Sequence, residues 1–190
     1  DLFHHGKELL VNLFIPSRVI WSVDGKDVVI SQVTDFPMED IAEFHIDVEE
    51  AMEFDLTLRI PWWVGRECRV EANGELQSEN LQPSSHHTIR RQWQKGDTVR
   101  LHLPMYLHAC PLPDDPETFS VMYGPLVLAA ISEGEVHVQG TSSDVEDLVT
   151  PDRDRKLRFS LASKDGRVDM MPLHEVFNEP FAIYLRASKY

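Results

Sequence analysis

The sequence predicts an all-β protein: an antiparallel β-sandwich arranged as two packed β-sandwich units with very little helix. Three observations carry that prediction. Apolar and polar residues alternate with a period of two in segment after segment, the pattern of strands with one face against a core. Turn residues separate these segments at roughly 8–12-residue intervals, the spacing of sandwich domains. Helical periodicity is confined to two short stretches.

Taken in order, "ELLVNLFI" (residues 8–15) is apolar on both faces and reads as a strand covered on both sides. "RVIWSV" and "DVVISQV" follow as a hairpin about Asp24-Gly25-Lys26. Phe44, Ile46 and Val48 alternate with His45 and Asp47. Phe54, Leu56, Leu58 and Ile60 alternate with Asp55, Thr57 and Arg59. Cys68, Val70 and Ala72 lead into Asn73-Gly74, the strongest short-range hairpin signal in the chain. Ile89 and Trp93 share the face of one strand, and the turn Lys95-Gly96-Asp97 joins it to Val99, Leu101 and Leu103. "TFSVMY" opens a further set of strands after residue 117. The two helical stretches are "SSDVEDLV", where Ser143 and Glu146 match a capping box, and "PLHEVF", with Pro172 at a first helical position.

The Pro/Asp-rich run "PLPDDPE" (residues 111–117) interrupts hydrogen bonding repeatedly and marks the expected boundary. Residues 1–110 then form one sandwich and residues 111–190 a smaller β domain. The latter has about 80 residues, few for an independent core, and is expected to lean on the first domain or on a preceding segment.

Composition excludes several functions. The chain has 190 residues and a net charge of −14. Such a surface repels phosphate backbones and anionic lipid, so neither nucleic acid nor membrane is an expected partner, whereas neutral polysaccharides remain compatible. No apolar run approaches the roughly 20 residues that span a bilayer. The first residue is Asp1 rather than Met, which reads as a piece of a longer protein and leaves the compartment open.

Catalytic patterns are sparse. With 32 acidic residues, pairs of carboxylates occur by chance and identify nothing. No GxSxG elbow and no phosphate-binding glycine loop is present. Cys68 and Cys110 lack metal-ligand or disulfide spacing, and Cys68 falls on an apolar strand face. The pairs His4-His5 and His86-His87 point to opposite strand faces and form no local chelate. Asp114-Asp115 reads as a solvated turn rather than a calcium loop. No cofactor is therefore expected in this chain.

The aromatic residues remain: Trp21, Trp62, Trp63, Trp93, Tyr106, Tyr123, Tyr184 and Tyr190. In "RIPWWVG", adjacent Trp62 and Trp63 follow a strand and a proline, so only one of them can face the core. The other is a candidate for carbohydrate stacking or for contact with a neighbouring domain.

In order, the phrases "LLVNLFIPSRVIW", "TDFP", "LTLRIPWW", "ANGE", "TIRRQWQKGDTVRLHLPM" and "LPDDPETFSVMYGPLVLAA" make residues 9–131 similar to one known region. That region follows the catalytic domain of glycoside hydrolase family 127, the bacterial β-L-arabinofuranosidases and their relatives. Beyond residue 133 the similarity fades to "MMPLHEVFNEPFAIYL". The resemblance implies a parent with a catalytic (α/α)6 barrel followed by β-sandwich domains. It also implies a cysteine nucleophile held on zinc, with a glutamate acid/base, all within the barrel. Cys68 and Cys110 fall at unmatched positions and inherit no role. In the family's phrase, "RIP" precedes one variable residue and a tryptophan, so Trp63 matches and Trp62 is the addition. Trp63 is expected to pack within the sandwich or against the barrel.

The expected function is that of a non-catalytic accessory region. It supports an upstream barrel of the same polypeptide, whose substrate would be a plant-type oligosaccharide or polysaccharide. Two other functions are compatible with the residues: a carbohydrate-binding module using Trp62, and an enzyme using two carboxylates on a sandwich face.

Overall fold

A computed structural model describes residues 2–188, with side chains from residue 5 onward. The side chain of His4 and the whole of Tyr190 lie outside the described residues. The chain divides into two compact units, Asp1–Pro104 and Met105–Tyr190.

Among the described residues, unit 1 holds ten strands: β1 (Leu2–His5), β2 (Glu8–Val11), β3 (Ser17–Val23), β4 (Lys26–Val33), β5 (Ile41–Val48), β6 (Met52–Ile60), β7 (Arg69–Ala72), β8 (Glu75–Ser78), β9 (Ser85–Trp93) and β10 (Thr98–His102). They form a four-stranded sheet, β1-β2-β6-β9, and a six-stranded sheet, β3-β4-β5-β10-β7-β8. Period-2 alternation sends Phe54, Leu56, Leu58 and Ile60 of the first sheet and Val28, Ile30, Phe44 and Ile46 of the second into the core. Trp21 of the second sheet meets Phe54 of the first edge-on at 5.5 Å between ring centres. Phe54 stacks in turn on Trp93 at 5.4 Å. The Trp93 Nε1–H donates to the Phe54 carbonyl at 2.9 Å, so the buried indole loses no hydrogen bond. Asn73 and Gly74 adopt φ of 52° and 78°, the left-handed pair that a two-residue hairpin turn requires. The Asn73 amide donates to Asp97 Oδ1 at 2.9 Å and its carbonyl oxygen accepts from the Thr98 N–H at 2.8 Å, tying two turns together.

The pairing of β2 with β6 is parallel, with Glu8 opposite Asp55. Alternation specifies which face is buried but not strand direction, so this pair was not visible in the sequence. The apolar stretch from Glu8 to Ile15 also differs from expectation. Its strand ends at Val11, and Leu13 and Ile15 stand exposed rather than covered.

Unit 2 contains β11 (Leu107–Pro111), β12 (Thr118–Tyr123), β13 (Leu126–Ile131), β14 (Val136–Val138), α1 (Val145–Leu148), β15 (Val149–Pro151), β16 (Phe159–Ser163), β17 (Gly166–Pro172), β18 (Phe181–Ala182) and β19 (Leu185–Ala187). The strand order is β14-β19-β12-β13-β17-β16-β15, with β11 on β12 and β18 on β13. The Lys164 N–H, in the turn between β16 and β17, donates to the His137 carbonyl of β14 at 2.8 Å, bringing the β14 end of this order against that turn. The sheet thereby doubles back around Phe119, Val121, Leu128, Phe159, Leu161 and Leu185, and α1 adds Val145 and Leu148.

The division falls after Pro104 rather than after residue 110, because Leu107–Pro111 is a strand of unit 2 paired with β12. The Pro/Asp-rich run is the loop of that hairpin. The helix start also shifts: Thr141 and Asp144 form the capping box, with the Asp144 carboxylate accepting from the Thr141 N–H at 2.7 Å. The same Thr/Ser-x-x-acid spacing occurs two residues before Ser143/Glu146, and it closes first. "PLHEVF" yields only a 3-10 turn, Leu173–Glu175.

Candidate docking end of unit 1

Three loops that leave the strands of unit 1 carry Phe14, Phe36 and Trp63. Phe36 lies face to face with Trp63, ring centres 5.6 Å apart and planes 15° apart. Phe14 meets Phe36 edge-on at 5.8 Å and 74°. Each loop is fixed by a specific bond. Buried Gln32 donates through Nε2 to the Leu13 carbonyl at 3.2 Å. Thr34 Oγ1 donates to the Ile41 carbonyl at 2.7 Å and accepts from the Phe36 N–H at 3.0 Å. The Gly65 N–H donates to the Pro104 carbonyl at 2.8 Å, closing the tryptophan loop onto the end of the unit. Proline is tolerated in "RIPWW" because Pro61 lies just past the last residue of β6, where no ladder N–H is needed.

Adjacent residues point opposite ways, so the buried rings of Phe14 and Trp63 have exposed apolar neighbours, while Phe36 is itself half-buried. Trp63 is 6% exposed while Trp62 is 50% exposed. Leu13 and Ile15, on either side of buried Phe14, are 40% and 49% exposed, and Met38, two residues after Phe36, is 37% exposed. Consecutive Cα atoms are about 3.8 Å apart, so the packed rings hold these shoulders around one end of the unit. Adjacency singles out the two tryptophans in the sequence. Phe14, Phe36, Leu13, Ile15 and Met38 carry only one local signal, an apolar residue beside a proline within "LFIP" and "DFPM".

The residues considered for catalysis are engaged otherwise. Asp55 accepts two bonds from Arg90, at 2.8 and 2.6 Å, and this contact holds its carboxyl below the usual range. Arg100 binds Glu43 at 2.6 Å, and Arg69 binds Glu71 at 3.2 Å. The Asp55 carboxyl, held low by Arg90, is the opposite of the raised carboxyl a glycosidase acid needs. Cys68 is fully buried and burial pushes its thiol up to about 11, so it is not a nucleophile at neutral pH. Cys110 lies in unit 2 with its Sγ 3.5 Å from Met122 Sδ. Among the described residues, no group of three or more His, Cys, Asp and Glu side chains is placed to hold a metal ion. Asp115 accepts from Thr118 Oγ1 at 2.7 Å and serves its turn. His86 is exposed while its neighbour His87 is half-buried, and burial lowers the pKa of His87.

Residues 8–105 match the family profile described as "Beta-L-arabinofuranosidase, GH127 middle domain". The match spans just over half of the chain and contains every residue of the aromatic end. The chain belongs to glycoside hydrolase family 127. Among solved structures, this GH127 chain is similar to a GH127 β-L-arabinofuranosidase from Geobacillus stearothermophilus T6, with a TM-score of 0.74 and 21% identity over 98% of the chain. A protein described as a glycoside hydrolase gives 0.71 and 19% over 95%, and a GH127 β-arabinofuranosidase gives 0.70 and 19% over 96%. At these identities the likeness speaks for the fold. The GH127 chain spans only about a third of those structures, at 35%, 36% and 35% of their length. No curated protein sequence matches it.

Proposed function

We propose that the chain is a non-catalytic accessory region of a family 127 glycoside hydrolase, and that the aromatic end of unit 1 docks on a catalytic (α/α)6 barrel of the same polypeptide. The observation that carries this reading is the set of exposed apolar shoulders, Leu13, Ile15, Met38 and Trp62, on an internally ordered ring stack. Such a patch is poorly hydrated and is stabilised when another surface covers it. Similarity to structures about three times as long supports the presence of a further domain. The parent would act on a β-L-arabinofuranoside, free or within a plant-type oligosaccharide or polysaccharide. Its zinc and cysteine chemistry would reside in the barrel, and the residues of this chain would position and stabilise that barrel.

The test compares this chain with a longer polypeptide that includes the upstream barrel, using an aryl β-L-arabinofuranoside. Turnover by the longer polypeptide alone, with a higher melting temperature for unit 1 in that context, is the expected result. Turnover by the short chain, or an unchanged melting temperature, would refute the accessory role.

The half-exposed Trp62 also favours a second reading, a carbohydrate-binding module. It requires sugar-dependent quenching of tryptophan fluorescence that Trp62→Ala abolishes while the fold is retained.

A further inference from the structure

Unit 2 has a cleft that the docking reading does not use. Its volume is about 470 Å³, and it is lined by Thr118, Gly134, Glu135, Phe181, Tyr184 and Arg186 among others. The Ser132 N–H donates to the Pro180 carbonyl at 3.0 Å, and Ser132 Oγ donates to the Gly134 carbonyl at 3.2 Å. These bonds fix the turn before β14 beside the segment that begins at Phe181. Leu185 of β19 is fully buried, while Arg186 in the strand and Tyr184 just before it line the cleft. Arg186 lies opposite Thr118 on one side and His137 on the other.

The lining combines two chemistries. Phe181 and Tyr184 are 48% and 47% exposed and both line the cleft, so each leaves about half of its side chain open. The Glu135 carboxylate is 3.6 Å from Arg186 Nε and 3.6 Å from His137 Nε2. Those distances are attractive electrostatically but too long for hydrogen bonds, so carboxylate and guanidinium retain bonding capacity toward the cleft. Half-open aromatic faces next to an unsaturated acceptor and donor pair complement a sugar ring. Its C–H face stacks on the ring while adjacent hydroxyls bind the charged groups.

Other occupants fit less well. A polyanion meets a chain of net charge −14. A metal ion finds no cluster of three or more ligands among the described residues. An apolar protein surface would strip water from Glu135 and Arg186 without replacing its hydrogen bonds, which hydroxyls do replace.

We propose that unit 2 binds a neutral oligosaccharide in this cleft, with Phe181 and Tyr184 as stacking platforms and Glu135 and Arg186 as hydroxyl-binding groups. The cleft shares no residue with the aromatic end of unit 1, and neither proposal depends on the other.

The experiment is isothermal titration calorimetry of the whole chain with arabinohexaose, xylohexaose and cellohexaose. At least one is expected to bind with a Kd of about 1 mM or tighter. Phe181→Ala and Tyr184→Ala should each weaken that binding about tenfold, which corresponds to the loss of one stacking contact. Arg186→Gln, which leaves both rings in place, should also weaken it, and all three variants should melt with the parent chain. Trp62→Ala should bind as the parent does. No binding by any of the three sugars up to about ten times that concentration would overturn the proposal. Binding that Trp62→Ala abolishes and the unit 2 variants retain would overturn it too, and would place the sugar on unit 1.

Discussion

The two adjacent tryptophans should respond differently to alanine substitution, and the contrast separates packing from docking. Trp63 is nearly buried and forms one face of the Phe36 stack. Removing a buried indole deletes its transfer free energy and leaves a cavity, so Trp63→Ala should cost about 3–5 kcal/mol. With total stabilities of about 5–15 kcal/mol for a protein of ordinary size, unit 1 would be close to unfolding. Trp62 is 50% exposed. A tryptophan offers up to about 250 Å² of surface, so about 125 Å² remains to be covered. At about 25 cal/mol per Å², covering it is worth up to about 3 kcal/mol. In the isolated chain, Trp62→Ala loses only the half of the side chain that already packs, up to about 3 kcal/mol, and should cost less than Trp63→Ala. In a polypeptide that includes the barrel it should cost up to about 3 kcal/mol more, and less where the partner covers only part of the ring. Urea denaturation followed by far-UV circular dichroism measures both. Equal destabilisation of the isolated chain by the two substitutions would refute the division of roles. So would a Trp62→Ala cost that is the same in both polypeptides.

Three further outcomes follow from the same structure. Burial lowers the pKa of His87, His102 and His108, so the unfolded chain takes up their protons first. Stability should be level between about pH 7 and 8 and fall as pH drops through about 6.5, with a further fall below about pH 4 as Asp55, Asp144 and Asp152 are protonated; a melting temperature that rises on acidification from about pH 7 would contradict this. Gly124 has φ of 54°, and a Cβ there would lie 2.5 Å from Met105 Cγ and 3.0 Å from Met105 Cβ. Gly124→Ala should therefore destabilise unit 2 by about 1–3 kcal/mol, read as a lower thermal midpoint. Cys68 should react with a thiol reagent at pH 8 at least about a hundredfold more slowly in the folded chain than in urea, and equal rates would show that its burial is not maintained.

Much of the fold was legible because the long strands of unit 1, such as β4, β5 and β6, bury one face. Phe54 through Ile60 show this plainly, and Asn73-Gly74 marks a turn for which few other residues suffice. Strand direction was not legible, since β2 beside β6 would alternate in the same way whether parallel or antiparallel. The boundary was misplaced because proline-rich hairpin loops and linkers have the same composition, and only the pairing of Cys110 with Ser120 distinguishes them. The candidate docking end was half legible. Trp62 and Trp63 announced themselves by adjacency, but Phe14 and Phe36 reach Trp63 only because three distant loops converge at one end of the sandwich. Period-2 patterning says which residues share a face and is silent on whether a neighbour covers that face. Leu13 and Ile15 demonstrate this: their apolar character implied cover, and in the unit described here they stand open.

The most direct test of the central claim is hydroxyl-radical footprinting of Leu13, Ile15, Met38 and Trp62, in this chain and in the polypeptide that includes the upstream barrel. Protection of all four side chains in the longer polypeptide, with exposed Ile20 and Leu76 labelled equally in both, is the predicted result. Equal labelling of the four residues in both proteins would contradict the account, because the aromatic end would then face solvent in the assembled enzyme as well.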